Sequence, residues 1–158
     1  MPLSIQPCPS LNRMEMKKGL FIFILSLPLL SSAQVSESGI LGVWLNEKKE
    51  AVVEIYQDNG RYFGKIIDIR GRHAHHKEAL RDINNPYPEF RDRPLLQMPL
   101  LENLRYEDGE FVDGTAYNPR LGRYFKCKAW LVSEKKMRLR GYLGFFFATE
   151  EWEKIEWR

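Results

Sequence analysis

The sequence predicts an all-β fold, a single antiparallel domain of about eight strands arranged as a barrel or sandwich. Three observations carry this. Short strand-like runs alternate with turn signals at close spacing along the chain. Aromatic residues make up 13% of a chain that is 44% hydrophobic, a composition that favours pleated structure and excludes disorder. No amphipathic helical run exceeds two turns. The elements read in order as Ile40–Leu45, Ala51–Gln57, Arg61–Ile69, Leu95–Leu104, Glu110–Tyr117, Arg123–Val132, Met137–Arg140 and Ala148–Trp157.

Each element has a local reason. Asp58-Asn59-Gly60 is a hairpin turn, because Asn-Gly accepts the positive φ that such turns need. Pro99 interrupts the fourth run and predicts an edge or a bulge there, and Gly114 predicts a bulge in the fifth. Asn118-Pro119-Arg120-Leu121-Gly122 is a turn in which Asn caps its own backbone, Pro fixes φ and Gly takes the left-handed exit. The sixth run has the cleanest period of two. Phe125, Cys127, Ala129 and Leu131 lie on one face, and Tyr124, Lys126, Lys128 and Trp130 on the other. The face without lysines is the core face. Val53, Ile55, Phe125, Ala129, Leu131 and Leu139 are therefore predicted to share one core, with Cys127 an inert buried thiol. Inward aromatics would fill a barrel, whereas Gly64, Cys127 and Ala129 would leave room.

The N-terminus reads as a secretory leader. Lys17-Lys18 precede a 12-residue apolar run, Gly19 to Leu30, and Ser31-Ser32-Ala33 present small residues before Gln34. The run is shorter than the roughly 20 residues of a membrane-spanning helix. Expected organisation is thus a signal peptide over residues 1–33 and a barrel domain over 34–158, exported to the periplasm or beyond, with no transmembrane anchor in the mature chain. Residues 1–13 fit no leader pattern, and Met14 or Met16 would serve as the start, which removes Cys8. Cys127 alone then remains, so stability must come from the core and not from a disulfide. Removing the leader lowers the net charge from +3 to +1, which excludes a strongly basic nucleic-acid binder.

Candidate chemistry is sparse. The common nucleotide, zinc-protease, thiol and serine-hydrolase motifs are absent, so no catalytic residue and no cofactor is assigned. His73 and His75 would point the same way on an extended segment and form a weak metal pair, against a solvated loop tip flanked by Arg72 and Lys77. Glu150, Glu151 and Glu153 read as a solvated face. Phe145-Phe146-Phe147 cannot all turn inward, so one or two of them line a second apolar surface, meet a partner or cap the barrel mouth. The densest polar constellation runs from Asp82 and Asn85 to Arg91 and Arg93. It reads either as an anion site, since arginine offers a planar fork, or as a loop lock pinning an ordered connection over one end of the barrel. Tyr117 and Asn118 belong to the same set of ligand or lock candidates.

Several pieces occur in a telling order: Gly42-Val43-Trp44-Leu45, Val53-Glu54-Ile55-Tyr56, Gly64-Lys65-Ile66, Asp82-Ile83-Asn84-Asn85-Pro86, Arg91-Asp92-Arg93-Pro94-Leu95-Leu96, Tyr117-Asn118-Pro119 with Gly122 and Tyr124, and Gly141-Tyr142-Leu143-Gly144 ending at Trp152. From about Gly42 to Trp152 the chain resembles the DUF2147 family of exported bacterial proteins of unassigned function. The resemblance implies a lipocalin-like barrel and supplies no catalytic residue. The chain departs from the family pattern at Phe147-Ala148 and in its histidine cluster. The leading functional expectation is a binding module for a small apolar or amphipathic ligand. The alternative is an envelope structural or interaction protein with a side-chain-filled barrel, and an enzyme is the least favoured reading.

Overall fold

The computed structural model describes residues 36–157; the leader, its cleavage point, Cys8 and Gln34 lie outside them. Eight antiparallel strands form a closed barrel in sequence order. They are β1 (Gly42–Leu45), β2 (Ala51–Asp58), β3 (Arg61–Ile69), β4 (Pro99–Glu107), β5 (Glu110–Asn118), β6 (Arg123–Ser133), β7 (Lys136–Leu143) and β8 (Phe146–Ile155). Pairing of Val43 with Ile155 and of Leu45 with Glu153 closes the ring, so the barrel leaves no free edge for another chain to extend. A sandwich is thereby excluded.

Four boundaries differ from the sequence reading. Ile40 is not in β1 but ends a 3-10 turn, Glu37–Ile40. Leu95 and Leu96 precede β4 and pack beneath the long connection with Ile66, Ile69 and Met98. Pro99 opens β4 instead of interrupting it, a first-strand position where its missing N–H costs no ladder bond, and the β3–β4 register shifts beside it, between the Gly64–Leu101 and Lys65–Pro99 pairs, the irregularity expected there. β7 runs on to Leu143, and Gly144, at φ 59°, turns the chain into β8 at Phe146.

Two glycine positions are dictated by close approach. β5 carries one extra residue against β6 between Phe111 and Gly114, the bulge expected there, and a Cβ on Gly114 would collide with the Leu104 side chain. Gly122, at φ +60°, leaves no space for a Cβ because the Asn84 carbonyl lies against it.

The strands place two kinds of connection at opposite ends. The turns at 59–60, 108–109 and 134–135 share one end with the 3-10 turn Glu37–Ile40. There Trp44 Nε1 donates to the Ile40 carbonyl at 2.7 Å and Lys154 Nζ donates to the Gly39 carbonyl at 2.8 Å. Ile40 is thus stitched into the bore as a plug. Above it Trp44, Tyr62, Leu104 and Phe111 fill the barrel, with Tyr62 edge-on to Phe111 at 4.9 Å between ring centroids. Of the predicted core, Val53, Ile55, Ala129 and Leu139 are buried, while Phe125 and Leu131 are only half-buried. The other end carries connections 46–50, 70–98, 119–122 and 144–145.

Candidate functional site

A cavity of about 730 Å³ occupies the second end. Small residues on three strands contribute to it. Ala116 pairs with Phe125, and Gly141 pairs with Ala148, and all four line the cavity. Ala116, Gly141 and Ala148 are small, and they leave this part of the bore unfilled. Gly64, Cys127 and Ala129 do not make the room: Gly64 lies against Leu101 and Val53, Ala129 sits opposite Phe111, and Cys127 is buried in the same cluster. Gly64 and Ala129 are thus matched by large neighbours, and the Leu104 side chain fills the space at Gly114, opposite Cys127. Phe125 is half-exposed because it looks into the cavity.

Leu101, Leu139 and Trp152 line the cavity among the barrel's buried residues, and Leu143, Phe146 and Phe147 line it at the rim. Ile83, Leu121, Leu143, Phe146 and Phe147 are each more than half exposed, so the cavity opens to solvent. Cationic groups also border it, namely Lys48, Arg70, Arg81 and Arg120. Arg120 pairs with Glu50, and Arg81 donates to the Glu78 carbonyl at 2.7 Å. Sequence reasoning missed these four because they sit in three separate connections, and only ring closure gathers them.

Beside the cavity the predicted polar constellation assembles around one carboxylate. Asp82 and Asn85 are both 0% exposed. Tyr117 Oη donates to Asp82 Oδ1 at 2.6 Å. Asp82 Oδ2 accepts from Asn85 Nδ2 at 2.6 Å and from Arg93 Nε at 2.9 Å, and Arg93 Nη2 pairs with the same oxygen at 2.9 Å. A buried carboxylate needs such partners, since an unpaired charge there would be expelled to water or neutralised. Asn85 Oδ1 in turn accepts from the Tyr87 amide at 2.9 Å, and Arg91 Nε donates to the Asn85 carbonyl at 2.9 Å. Arg93 also lies over the rings of Phe90 and Tyr117, 5.4 Å from each centroid. The strand end at Tyr117, the Asp82–Asn85 turn and the Arg91–Arg93 turn are thereby fastened together. Asn84 extends the fastening, donating to the Pro119 and Arg120 carbonyls at 3.2 Å. Burial and the neighbouring Asp82 carboxylate push the Tyr117 phenol well above its ordinary pKa.

The placement corrects one expectation. Neither Arg91 nor Arg93 borders the cavity; both are spent within the connection. Tyr117 and Asn118 do border it, and Asn118 Oδ1 accepts from the Arg120 amide at 3.0 Å. The connection supplies part of the cavity wall through Leu80, Ile83 and Leu95 and does not cover the mouth.

The histidine pair is also rearranged. Residues 71–79 form 3-10 turns with a kink at His76, so the segment is not extended. At three residues per turn, positions two apart diverge by about 120°, and His73 and His75 do not share a face. His73 alone of the three borders the cavity. Among the described residues no three His, Cys, Asp or Glu side chains group as a metal site. Cys127 is buried, and desolvation pushes its thiol up to about 12, far from the range of a nucleophile.

An eight-stranded closed barrel with one plugged end and one open cavity is the architecture of lipocalin-like proteins. Residues 42–154 match the family described as "Uncharacterized protein conserved in bacteria (DUF2147)", and the chain belongs to that family. Its fold is similar to that of protein HP1028 from the human pathogen Helicobacter pylori, described as belonging to the lipocalin family, with a TM-score of 0.63 at 20% identity. That similarity covers 73% of this chain and 82% of the other. No curated protein matches the chain.

Proposed function

We propose that the protein is an exported binding module that takes one small apolar or amphipathic molecule into the open end of its barrel. The observation that carries this reading is the 730 Å³ cavity with its predominantly apolar wall. That volume lies within the roughly 300–1,000 Å³ of small-molecule sites. Lys48, Arg70, Arg81 and Arg120, together with Glu50 and Glu150, border the cavity while Leu139 and Trp152 line it, a mixture that suits a molecule with an apolar body and a polar end. A fully side-chain-filled barrel would have no such space.

Two experiments test it. Native mass spectrometry of protein purified without denaturation should find an adduct in the small-lipid or small-metabolite mass range. An environment-sensitive naphthalene sulfonate dye should bind the wild type and be lost in Ala116→Phe, which puts a ring into the cavity. No adduct, together with equal dye binding by both proteins, would sink the reading. Export is tested separately: N-terminal sequencing of material outside the cytoplasm should begin at Gln34, and retention of Lys17 there would overturn it.

A further inference from the structure

We infer that the open end docks onto an anionic lipid surface, with the β7–β8 hairpin tip inserted among the lipids. This inference stands whether or not the cavity holds a ligand. Phe145 is 103% exposed, Phe146 79% and Phe147 61%. Three consecutive phenylalanines at the tip of a hairpin contribute little to the core, and water-exposed aromatic surface of this extent marks a contact surface. The tip is not isolated. Ile83, Leu121 and Leu143, each more than half exposed, border the same cavity mouth as Phe146 and Phe147. The exposed apolar groups therefore form one rim.

Charge selects the occupant. The connections at the open end, 46–50, 70–98, 119–122 and 144–145, carry nine Lys or Arg against six Asp or Glu, and all three histidines. At the plugged end, residues 36–41, 59–60, 108–109 and 134–135 carry one Lys against three Asp or Glu. The two sets of connections thus carry opposite net charge, with the apolar rim on the positive set. An anionic bilayer attracts that end, repels the other, and so presents the phenylalanines to the lipid. Apolar side chains set in a basic surface are the combination that binds a membrane interface. A second copy would bring two net-positive ends together, which opposes a mouth-to-mouth dimer.

The test is vesicle cosedimentation of the full chain with phosphatidylcholine alone and with phosphatidylcholine–phosphatidylglycerol mixtures. Every variant shares the apolar run at residues 19–30, so the readout is the ratio between variants at one lipid composition. Phe145→Ser combined with Phe146→Ser should weaken binding to the anionic vesicles by about tenfold or more. Lys48→Glu, at an exposed mouth position, should weaken it to a smaller, salt-dependent degree. A Phe145→Trp variant should gain fluorescence quenching by brominated lipid beyond that of the wild type. Thermal melts confirm that each variant is folded. Equal sedimentation of the wild type and the double serine variant would overturn the proposal. So would an unquenched Trp at position 145, or a double variant whose only change is from dimer to monomer in light scattering.

Discussion

At the plugged end, Trp44, Tyr62, Leu104 and Phe111 meet across the bore and Ile40 seals it. At the open end, Ala116, Gly141 and Ala148 line a cavity of about 730 Å³. The same eight strands serve both. The difference lies in side-chain volume and in the connections: short turns close one end, while a connection of 29 residues, 70–98, flanks the other. Close packing gives the plugged end its stability. The open end gives up that packing, and the buried network around Asp82 fastens its backbone by polar contacts instead. Stability and recognition are thus divided along the barrel axis.

Substitutions break or sharpen this division, and their expected effects descend in a definite order. Phe111→Ala, at the plugged end, should cost about 3–5 kcal/mol in denaturant unfolding, the range for a buried aromatic. Asp82→Ala leaves Arg93 facing a buried site without its counter-charge, and should cost about 3 kcal/mol or more. If Asp82→Ala proves nearly neutral, the open end does not depend on that network. Phe125→Ala should cost about 1 kcal/mol, well below a closed-core phenylalanine, because one side of the ring already faces the cavity. A loss equal to that of Phe111→Ala would mean that the cavity end is as tightly packed as the plug. Phe146→Ala, at the exposed rim, should change stability by less than about 0.5 kcal/mol.

An alkaline titration compares the ends by a second route. Tyr62 at the plugged end and Tyr117 at the open end both have phenol pKa values raised well above 10.0, each by burial first and then by a neighbouring carboxylate, Glu37 or Asp82. Unfolding frees both to ionise at the ordinary value. Above pH 10 the unfolded chain therefore holds fewer protons than the folded one, and stability falls as pH rises. Tyr62→Phe and Tyr117→Phe should each reduce that fall, measured as the unfolding midpoint across this range. A slope unchanged by either would show that the phenols are not held neutral. Cys127 should stay unreactive to thiol reagents until the barrel unfolds.

The strand inventory was legible because it depends on local patterns. Period two in β6, Asn59-Gly60 between β2 and β3, and Asn118–Gly122 between β5 and β6 each act within a few residues. The strand boundary at Leu95–Leu104 failed because apolarity alone does not separate a strand from a connection packed on the barrel wall. Leu95 and Leu96 are partly buried beneath the connection, yet they pair with no strand. His73 and His75 do not point the same way because 3-10 turns form where an extended backbone is expected, and all three histidines are exposed, as the solvated loop tip requires.

Local sequence pattern was enough for the class of fold and the inward face of β6, and it singled out Asp82, Asn85, Arg91, Arg93 and Tyr117 as candidates for a site or a lock. It did so because alternation, turn chemistry and polar clustering are written in neighbouring residues. Which end is filled follows from ring closure and not from any local pattern. Ala116, Gly141 and Ala148 come from three strands, and Lys48, Arg81 and Arg120 from three connections. Whether a small side chain makes a cavity or merely accommodates a large neighbour depends on its cross-strand partners. Ala129 opposite Phe111 and Ala116 opposite Phe125 look alike in sequence, and only the position of each pair along the closed bore separates the plug from the cavity.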